Sequence, residues 1–571
     1  MWKQKEYNKD KEIKLRNKDM HRMLARLVSE RNIPTEKCER FLKSEYKFLS
    51  DPYTLNGVEK AVDIFIHAVK NNYNVSIIGD YDADGIVSST MLKELCTNFQ
   101  LKCNVFLPSR IEHGYGLSQN TIESFLQENR ILPDLLFITD CGTNNYDEIN
   151  LLKEKGIKKI IIIDHHEIMD EKKLSKNADA LISWHLSKDF NEMCACGEVF
   201  QFIRGIRYKT NKINPIEFLT YACIGTVADV SPVVGDNRII IKNGLTEYAI
   251  NHVHGAGLRT LLSSSKIHPS CFTQEDIAFK IAPKINAIGR IYKPDAMHQL
   301  LIERDINNAE EITEHVSEYN EERKRIQKNI EREAKQIIEK DYQFEKNGLL
   351  CCNEKWHIGV VGIVASKIVE TYNCPSLIIG HSNGTWKGSG RSVNGVNIKD
   401  ILDLCSELFE SYGGHAGAVG VTLKKEYIEK APEIFNDACR KYFEKHKIEK
   451  EVINYFDASL KVSAITMDIG EKIIELSPWC QYHNPEPIFK ASSVMVSDVQ
   501  LIEKETWRLL KFHIEKDGVR CPYGFKAFSP CCGSEIEGRM INVYFKFPQK
   551  TEDPNNRFFK YEMNIVDIEL L

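Results

Sequence analysis

Apolar runs that stop at carboxylates constrain this chain more than any other feature. "NVSII" leads into "GDYDADG", "DLLFIT" into "DCG", and "KKIIII" into "DHHE". Two further runs, "CNVFLP" and "ADALIS", lie in the same α/β stretch, residues 51 to 245. Each run is short, β-branched and nearly continuous, and amphipathic helical segments lie between them. Strands of this kind suit a parallel sheet covered on both faces. Ligands bind such sheets at the carboxyl ends of the strands. That rim collects Asp80, Asp82 and Asp84 from the first run, Asp140 from the second, and Asp164, His165, His166 and Glu167 from the third. The segment "GTVADVSPVVGDNR" adds Asp229.

A single aspartate after a strand is an ordinary turn former or helix cap, here for a helix starting near Ile86. Five or more carboxylates and a histidine pair at matching strand ends are not accounted for in that way. Aspartates at alternate positions repel one another, so a cation belongs among them. Carboxylate and imidazole donors without organised cysteines favour Mn²⁺ or Mg²⁺ over structural zinc. The number of candidate ligands calls for two ions. The 17 cysteines show no CxxC…CxxC spacing and read as reduced thiols. A net charge of −5 argues against a protein that coats nucleic acid, so any polyanion must be held by local clusters. No apolar run approaches a membrane span, and "MWKQKEYNKDKEIKLRNKDM" lacks the apolar core of a secretory signal. The expected location is the cytoplasm.

A chain of 571 residues exceeds a single core. Residues 1–50 read as a helical preface and residues 51–305 as the parallel-sheet domain. Residues 306–342 read as one long helix joining it to a second, smaller α/β domain at residues 343–448. In that helix Ile312, Val316, Tyr319, Ile326, Ile330, Ala334 and Ile337 form one apolar stripe. Residues 449–571 read as a linker and a β-barrel of OB type, from short alternating segments such as "FKASSVMV" and "MINVYFKF".

"GDYDADG", "DCG", "DHHE" and "GTVADVSP" resemble, in order and spacing, the motifs of the DHH phosphoesterases. "PSRIEHGYGLS", "IAPKINAIGR", "WHIGVVGIVASKIVE", "GTWKGSGRS" and "GGHAGAVG" resemble the RecJ branch, the single-strand-specific DNA exonucleases. The resemblance covers most of the chain. It implies a DHH domain, a DHHA1 domain and an OB domain. It further implies metal-dependent 5′-to-3′ hydrolysis of single-stranded DNA to mononucleotides, in DNA repair and recombination. By motif, Asp82, Asp84, Asp140, His165 and Asp229 fall on the family's metal ligands. Asp140 would bridge the two ions, Asp80 is the extra acid of the RecJ version, and His166 would face the scissile phosphate. Cys141 stands where many relatives have asparagine.

On the substrate side the resemblance points to Arg110, His113, Arg290, His357, Lys387, Ser389, Arg391 and His415, with Lys284 a further cation. "KGSGRS" combines close backbone approach with Ser389 and Arg391, which can hold a terminal phosphate. Trp356, His357 and Trp386 suit either base stacking or a core role, and His415 either the cleft or a core. In the tail, Lys504, Arg508, Lys511, Arg520, Lys526, Lys546 and Lys560 are candidate backbone contacts. Trp507, Phe512, Tyr523, Phe525 and Tyr544 suit either stacking faces or the barrel's own core. The implied partners are single-stranded DNA, a single-strand-binding protein and a helicase, with no membrane and a monomeric chain. Alternative readings are another DHH phosphodiesterase, of oligoribonuclease or cyclic-dinucleotide type, or a catalytically silent replication scaffold.

Overall fold

The computed structural model describes residues 1–31, 33–109, 116–129, 131–170, 178–188, 190, 192–292, 294–341, 346–382, 384–447, 453–480, 483–504, 507–528, 532–548 and 562–571. The five apolar runs form one parallel sheet. Its strand order is Cys103–Phe106, Val75–Ile78, Leu135–Thr139, Lys159–Ile163, Ala180–Ile182. The alternation of the strands divides the core between two faces. Ile77, Phe137, Ile161 and Ile163 point to one, beside helices Ala83–Asn98, Ala195–Thr210 and Ile216–Ala228. Ile78, Leu136, Ile138, Ile160 and Ile162 point to the other, beside helices Gln119–Glu128 and Tyr146–Glu154. Full burial on both faces is why these strands carry no polar alternation. Each such side chain contributes about 1.5–3 kcal/mol of burial.

Helix Ile306–Asp341 runs for 36 residues along two cores. Ala309 and Val316 join the parallel-sheet core, whereas Ile330, Ala334 and Ile338 pack with Trp356, Val360, Val364 and Ile368. Between them the buried stripe turns polar at Asn320 and Arg323. Arg323 Nη2 donates to Asn320 Oδ1 at 2.9 Å and Nη1 to Gln327 Oε1 at 3.1 Å. The helix changes hosts there.

The second α/β unit is a mixed five-stranded sheet ordered Phe409–His415, Ala418–Leu423, Thr385–Arg391, Ser376–Ser382, Leu349–Cys352. Only its last pair is parallel. The tail closes a five-stranded barrel from Phe489–Lys504, Met540–Lys546, Glu562–Leu570, Gly524–Phe528 and Trp507–Lys516.

The first fifty residues pack with that barrel. Leu15, Leu24, Ala25, Leu27 and Val28 share a core with Phe489, Val494, Leu510, Phe525 and Phe545. Trp2–Gln4 pairs in parallel with Asn454–Phe456, and the Trp2 ring stacks on Tyr544 at 4.3 Å. The helical preface therefore also holds a strand. Buried Arg238 ties this assembly to the parallel-sheet domain. Its guanidinium donates to the carbonyls of Phe41, Ser477 and Pro478 at 2.8–3.0 Å. No described helix is long and apolar enough to cross a membrane.

Candidate metal centre

The acids meet because three strands end at one level. Past Ile78 the chain turns through Asp80 and reaches Asp82, the N-cap of helix Ala83–Asn98. Asp82 Oδ1 accepts from the N–H groups of Asp84 and Gly85 at 3.0 and 3.1 Å. The Asp140 N–H extends the sheet ladder by donating to the Ile163 carbonyl at 3.0 Å. Its backbone then turns left-handed at φ 60°, a conformation aspartate tolerates. Ligand atoms of Asp80, Asp82 and Asp140 lie within 4.8 Å of one another, as do those of Asp140, His165 and His166. Asp140 belongs to both groups. His165 Nε2 is 3.2 Å from Asp140 Oδ1, 3.9 Å from Asp84 Oδ2 and 4.0 Å from Asp229 Oδ1. The six expected ligands are thus gathered at one place.

Two of them are braced from behind. Asp84 Oδ2 accepts from the Ala195 N–H at 2.7 Å and Oδ1 from the Cys196 N–H at 2.9 Å, at the start of helix Ala195–Thr210. Asp229 ends helix Ile216–Ala228 and accepts from Ser231 Oγ at 2.9 Å. Asp164 takes a different part. Buried beneath the cluster, it accepts from the Thr143 N–H at 2.9 Å and the Thr143 hydroxyl at 2.5 Å. It lies 2.7 Å from His166 Nδ1.

Charge in the cluster is unbalanced. Burial, with Asp82, Asp84 and Asp80 alongside, pushes the Asp140 carboxyl well above the usual carboxylate range. Burial raises Asp229 to about 7, with His165 opposing and Asp84 adding to the rise. Burial works against a charged Asp164, but hydrogen bonds from His166 and Thr143 outweigh it and hold this carboxyl below the usual range. Burial likewise disfavours a charged His166, yet Asp164 wins and Asp80 and Asp229 assist, raising the ring to about 9. Carboxylate and imidazole donors this crowded fit hard divalent cations, and the raised carboxyls are those a cation would relieve.

Helix Ala282–Ile291, within "IAPKINAIGR", presses on the acidic loop. Asn286 Oδ1 accepts from the Ala83 N–H at 2.8 Å. A Cβ on Gly289 would stand 2.2 Å from the Tyr81 carbonyl, so glycine is required for this approach. The next residue, Arg290, carries the contact to the second α/β unit, where Nη1 donates to the Gly359 carbonyl at 3.4 Å. His357, half-buried, accepts at Nδ1 from the Gly359 N–H at 3.2 Å. Helix Val361–Tyr372 follows at once. At its first turn a Cβ on Gly362 would lie 3.2 Å from Ser389 Oγ and 3.5 Å from Arg391 Nη2. Arg391 Nη1 donates to Ser389 Oγ at 2.9 Å. An unbroken series of contacts thus joins the acidic loop to Ser389 and Arg391.

The remaining candidates divide. Lys387 and His415 are exposed, and His415 pairs with Ala418, itself the partner of Arg391 across the sheet. Arg110, His113 and Lys560 lie outside the described residues. Lys284 is turned away, with Nζ donating to Ser264 Oγ and Ser265 Oγ at 3.1 and 2.9 Å. Trp356 is buried with Nε1 donating to Glu333 at 2.8 Å, and Trp386 is 7% exposed, so both are core residues. Phe512 and Phe525 belong to the barrel core, whereas Tyr544 is buried against Trp2 and Phe456. Thr143, Asn286 and Gly289 hold the centre without having been singled out by residue type. The motif "IAPKINAIGR" and the first acid of "DHHE" were the available signals.

Residues 74–226 match the DHH family, N-terminal domain, and residues 345–441 match the DHHA1 domain. The chain therefore carries these two domains in this order. The acidic rim lies in the first match, apart from Asp229, and Ser389 and Arg391 lie in the second. It is similar to the single-stranded-DNA-specific exonuclease RecJ of Haemophilus influenzae, 29% identical over 494 residues, 82% of this chain and 83% of the relative. RecJ of Escherichia coli is 28% identical over 496 residues, 82% of each chain. Among solved structures, RecJ of Thermus thermophilus in complex with Mn²⁺ shares the fold over the whole chain, with a TM-score of 0.80 at 21% identity and 79% of that chain covered. Its Mg²⁺ complex superposes with a TM-score of 0.76 at 20% identity.

Proposed function

We propose that the protein is a divalent-metal-dependent exonuclease that trims single-stranded DNA from its 5′ end to mononucleotides. The observation that carries this reading is the joined pair of triads, Asp80/Asp82/Asp140 and Asp140/His165/His166, sharing one carboxylate. Asp80, Asp82, Asp84, Asp140, His165 and Asp229 would hold Mn²⁺ or Mg²⁺, and two such ions would supply an activated water and neutralise charge on the phosphoryl oxygens. The chain's own residues then have distinct tasks. Asp140 links the two halves of the ligand set. Asp164, fixed by Thr143, grips His166 Nδ1 and orients the ring, which would donate to a phosphoryl oxygen. Ser389 and Arg391, at the first turn of helix Val361–Tyr372, hold the terminal 5′ phosphate by charge-assisted hydrogen bonds. Exposed Lys387 and His415 flank that position. The mixed sheet and the acidic rim thereby hold the two ends of one terminal nucleotide.

End-labelled DNA and RNA, single- and double-stranded, digested with Mn²⁺, Mg²⁺ or EDTA, tests the proposal. A 5′ label on single-stranded DNA should appear in mononucleotide from the earliest time point, only with metal, and faster than from duplex or RNA. Turnover confined to dinucleotides favours the oligoribonuclease or cyclic-dinucleotide reading. Absence of hydrolysis with either ion favours the silent scaffold.

A further inference from the structure

Helix Ile216–Ala228 closes through a Schellman turn. The Val230 N–H donates to the Val227 carbonyl at 3.2 Å, and the Ser231 N–H to the Thr226 carbonyl at 3.2 Å. The pivot of this turn is left-handed, where glycine or asparagine is usual. Helices ending at Thr210 and Tyr372 obey this with Asn211 and Asn373, at φ 54° and 49°. The pivot after Asp229 is Val230, at φ 61°. Among the described residues with positive φ, it alone has a β-branched side chain. Its isopropyl group crowds the following carbonyl, and its stiff χ1 offers little relief. Packing gives nothing back, because Val230 is 80% exposed. The residue before it places a carboxylate 4.0 Å from His165, and the residue after it donates to that carboxylate. A strained, solvent-facing valine between two residues of the centre points to a role in the site.

We propose that Val230 is a substrate-contact and specificity residue, whose isopropyl group meets the apolar face of the sugar and base of the nucleotide under attack. The inference rests on the proposed hydrolysis of a nucleic-acid phosphodiester. The acids and imidazoles of the rim suit the phosphate through bound cations. They offer nothing to the C–H faces of a deoxyribose or to a base, and an aliphatic knob beside Asp229 supplies that contact. Glycine or asparagine at 230 would make the same turn with less strain and without the knob.

The test uses the full chain with V230G, V230N and V230I. Three quantities are read: thermal unfolding in EDTA, Mn²⁺ binding by calorimetry, and steady-state hydrolysis of a single-stranded oligonucleotide. V230N should unfold about 1–3 °C higher than wild type. V230G and V230N should bind Mn²⁺ as wild type does yet lose roughly five- to twentyfold in kcat/KM. V230I should remain within about twofold of wild type, since it keeps the apolar group. Wild-type kcat/KM in V230G and V230N would overturn the contact, as would a lowered Tm in V230N. A loss of activity that follows a loss of Mn²⁺ affinity would also overturn it, because the residue would then act through Asp229. A wild-type chain unable to hydrolyse the oligonucleotide overturns the functional reading and the contact together. Active wild type with unchanged variants overturns the contact alone.

Discussion

Replacing Asp140 with asparagine should stabilise the metal-free protein while removing its catalysis. The side chain is 4% exposed, and its ligand oxygen lies within 4.8 Å of those of Asp80 and Asp82. At that separation and an effective dielectric of ~20, two carboxylates repel by about 3.5 kcal/mol. Proton uptake by Asp140 relieves part of this, leaving about 1–3 kcal/mol for the substitution to remove. Asparagine matches aspartate in shape and accepts the left-handed φ of 60°, so no new strain offsets the gain. Over a domain of this size the expected rise in Tm is roughly 2–8 °C. Thermal unfolding in EDTA measures it directly. Adding Mn²⁺ should reverse the order. Wild type gains about 2.7 kcal/mol at a hundredfold excess over Kd, and the variant, lacking the shared carboxylate, gains less. Single-strand hydrolysis should fall by more than about 100-fold. The reasoning is refuted if D140N in EDTA melts below wild type, or if Mn²⁺ shifts both proteins equally.

Three further expectations test the surroundings of the centre. R391A should shrink the preference for phosphorylated over hydroxyl 5′ ends by roughly tenfold to hundredfold, the value of a charge-assisted hydrogen bond of about 1.5–3 kcal/mol; an unchanged ratio places the terminal phosphate elsewhere. G289A puts a methyl group where 2.2 Å separates it from the Tyr81 carbonyl, so it should displace the acidic loop and weaken Mn²⁺ binding by about tenfold or more, with calorimetry as the check. E562Q frees Lys511 and Lys526, now 2.8 and 3.7 Å from that carboxylate; if the barrel lies along the strand, affinity for long oligonucleotides should rise and the log–log salt slope steepen by up to about 0.7 per freed cation, whereas no change in either argues that this face does not meet nucleic acid.

The strand-end acids were legible because two local signals coincide. β-branched runs specify buried parallel strands, and carboxylates immediately after them can only stand on one rim. The long helix was legible from its 3.6-residue stripe, though not the polar break at Asn320 and Arg323, which marks where two cores abut. Lys284 and Arg290 look alike in the sequence, six residues apart on one helix. Lys284 turns to Ser264 and Ser265, and Arg290 to Gly359. Only the packing of the helix decides this. The tail aromatics were ambiguous because an alternating strand in a small barrel buries every second side chain whatever the outer face binds. Its cations were legible as charges but not as pairs, since Arg508–Glu503 and Arg520–Asp498 link strands and Lys546–Glu486 links a strand to the segment before Phe489. The role of Asp164 was hidden by its neighbours. The residue type is that of a ligand, and only its partners Thr143 and His166 show it holding another side chain. The packing of the first fifty residues against the barrel left no local trace, because its partners lie at the far end of the chain.

That last arrangement has a consequence for how the protein is made. Leu24, Leu27 and Val28 leave the ribosome before the residues that share their core, from Ala458 to Met563, which follow about 430 to 540 residues later. At roughly 5–20 residues per second the wait is about 20–110 s. The parallel sheet, complete at Ile182, can form in the meantime. The first helices gain their distant partners from Ala458 onward, and the core they share is complete only when strand Glu562–Leu570 closes the barrel. Loss of any barrel strand should therefore expose the apolar faces of the first helices as well as the barrel core.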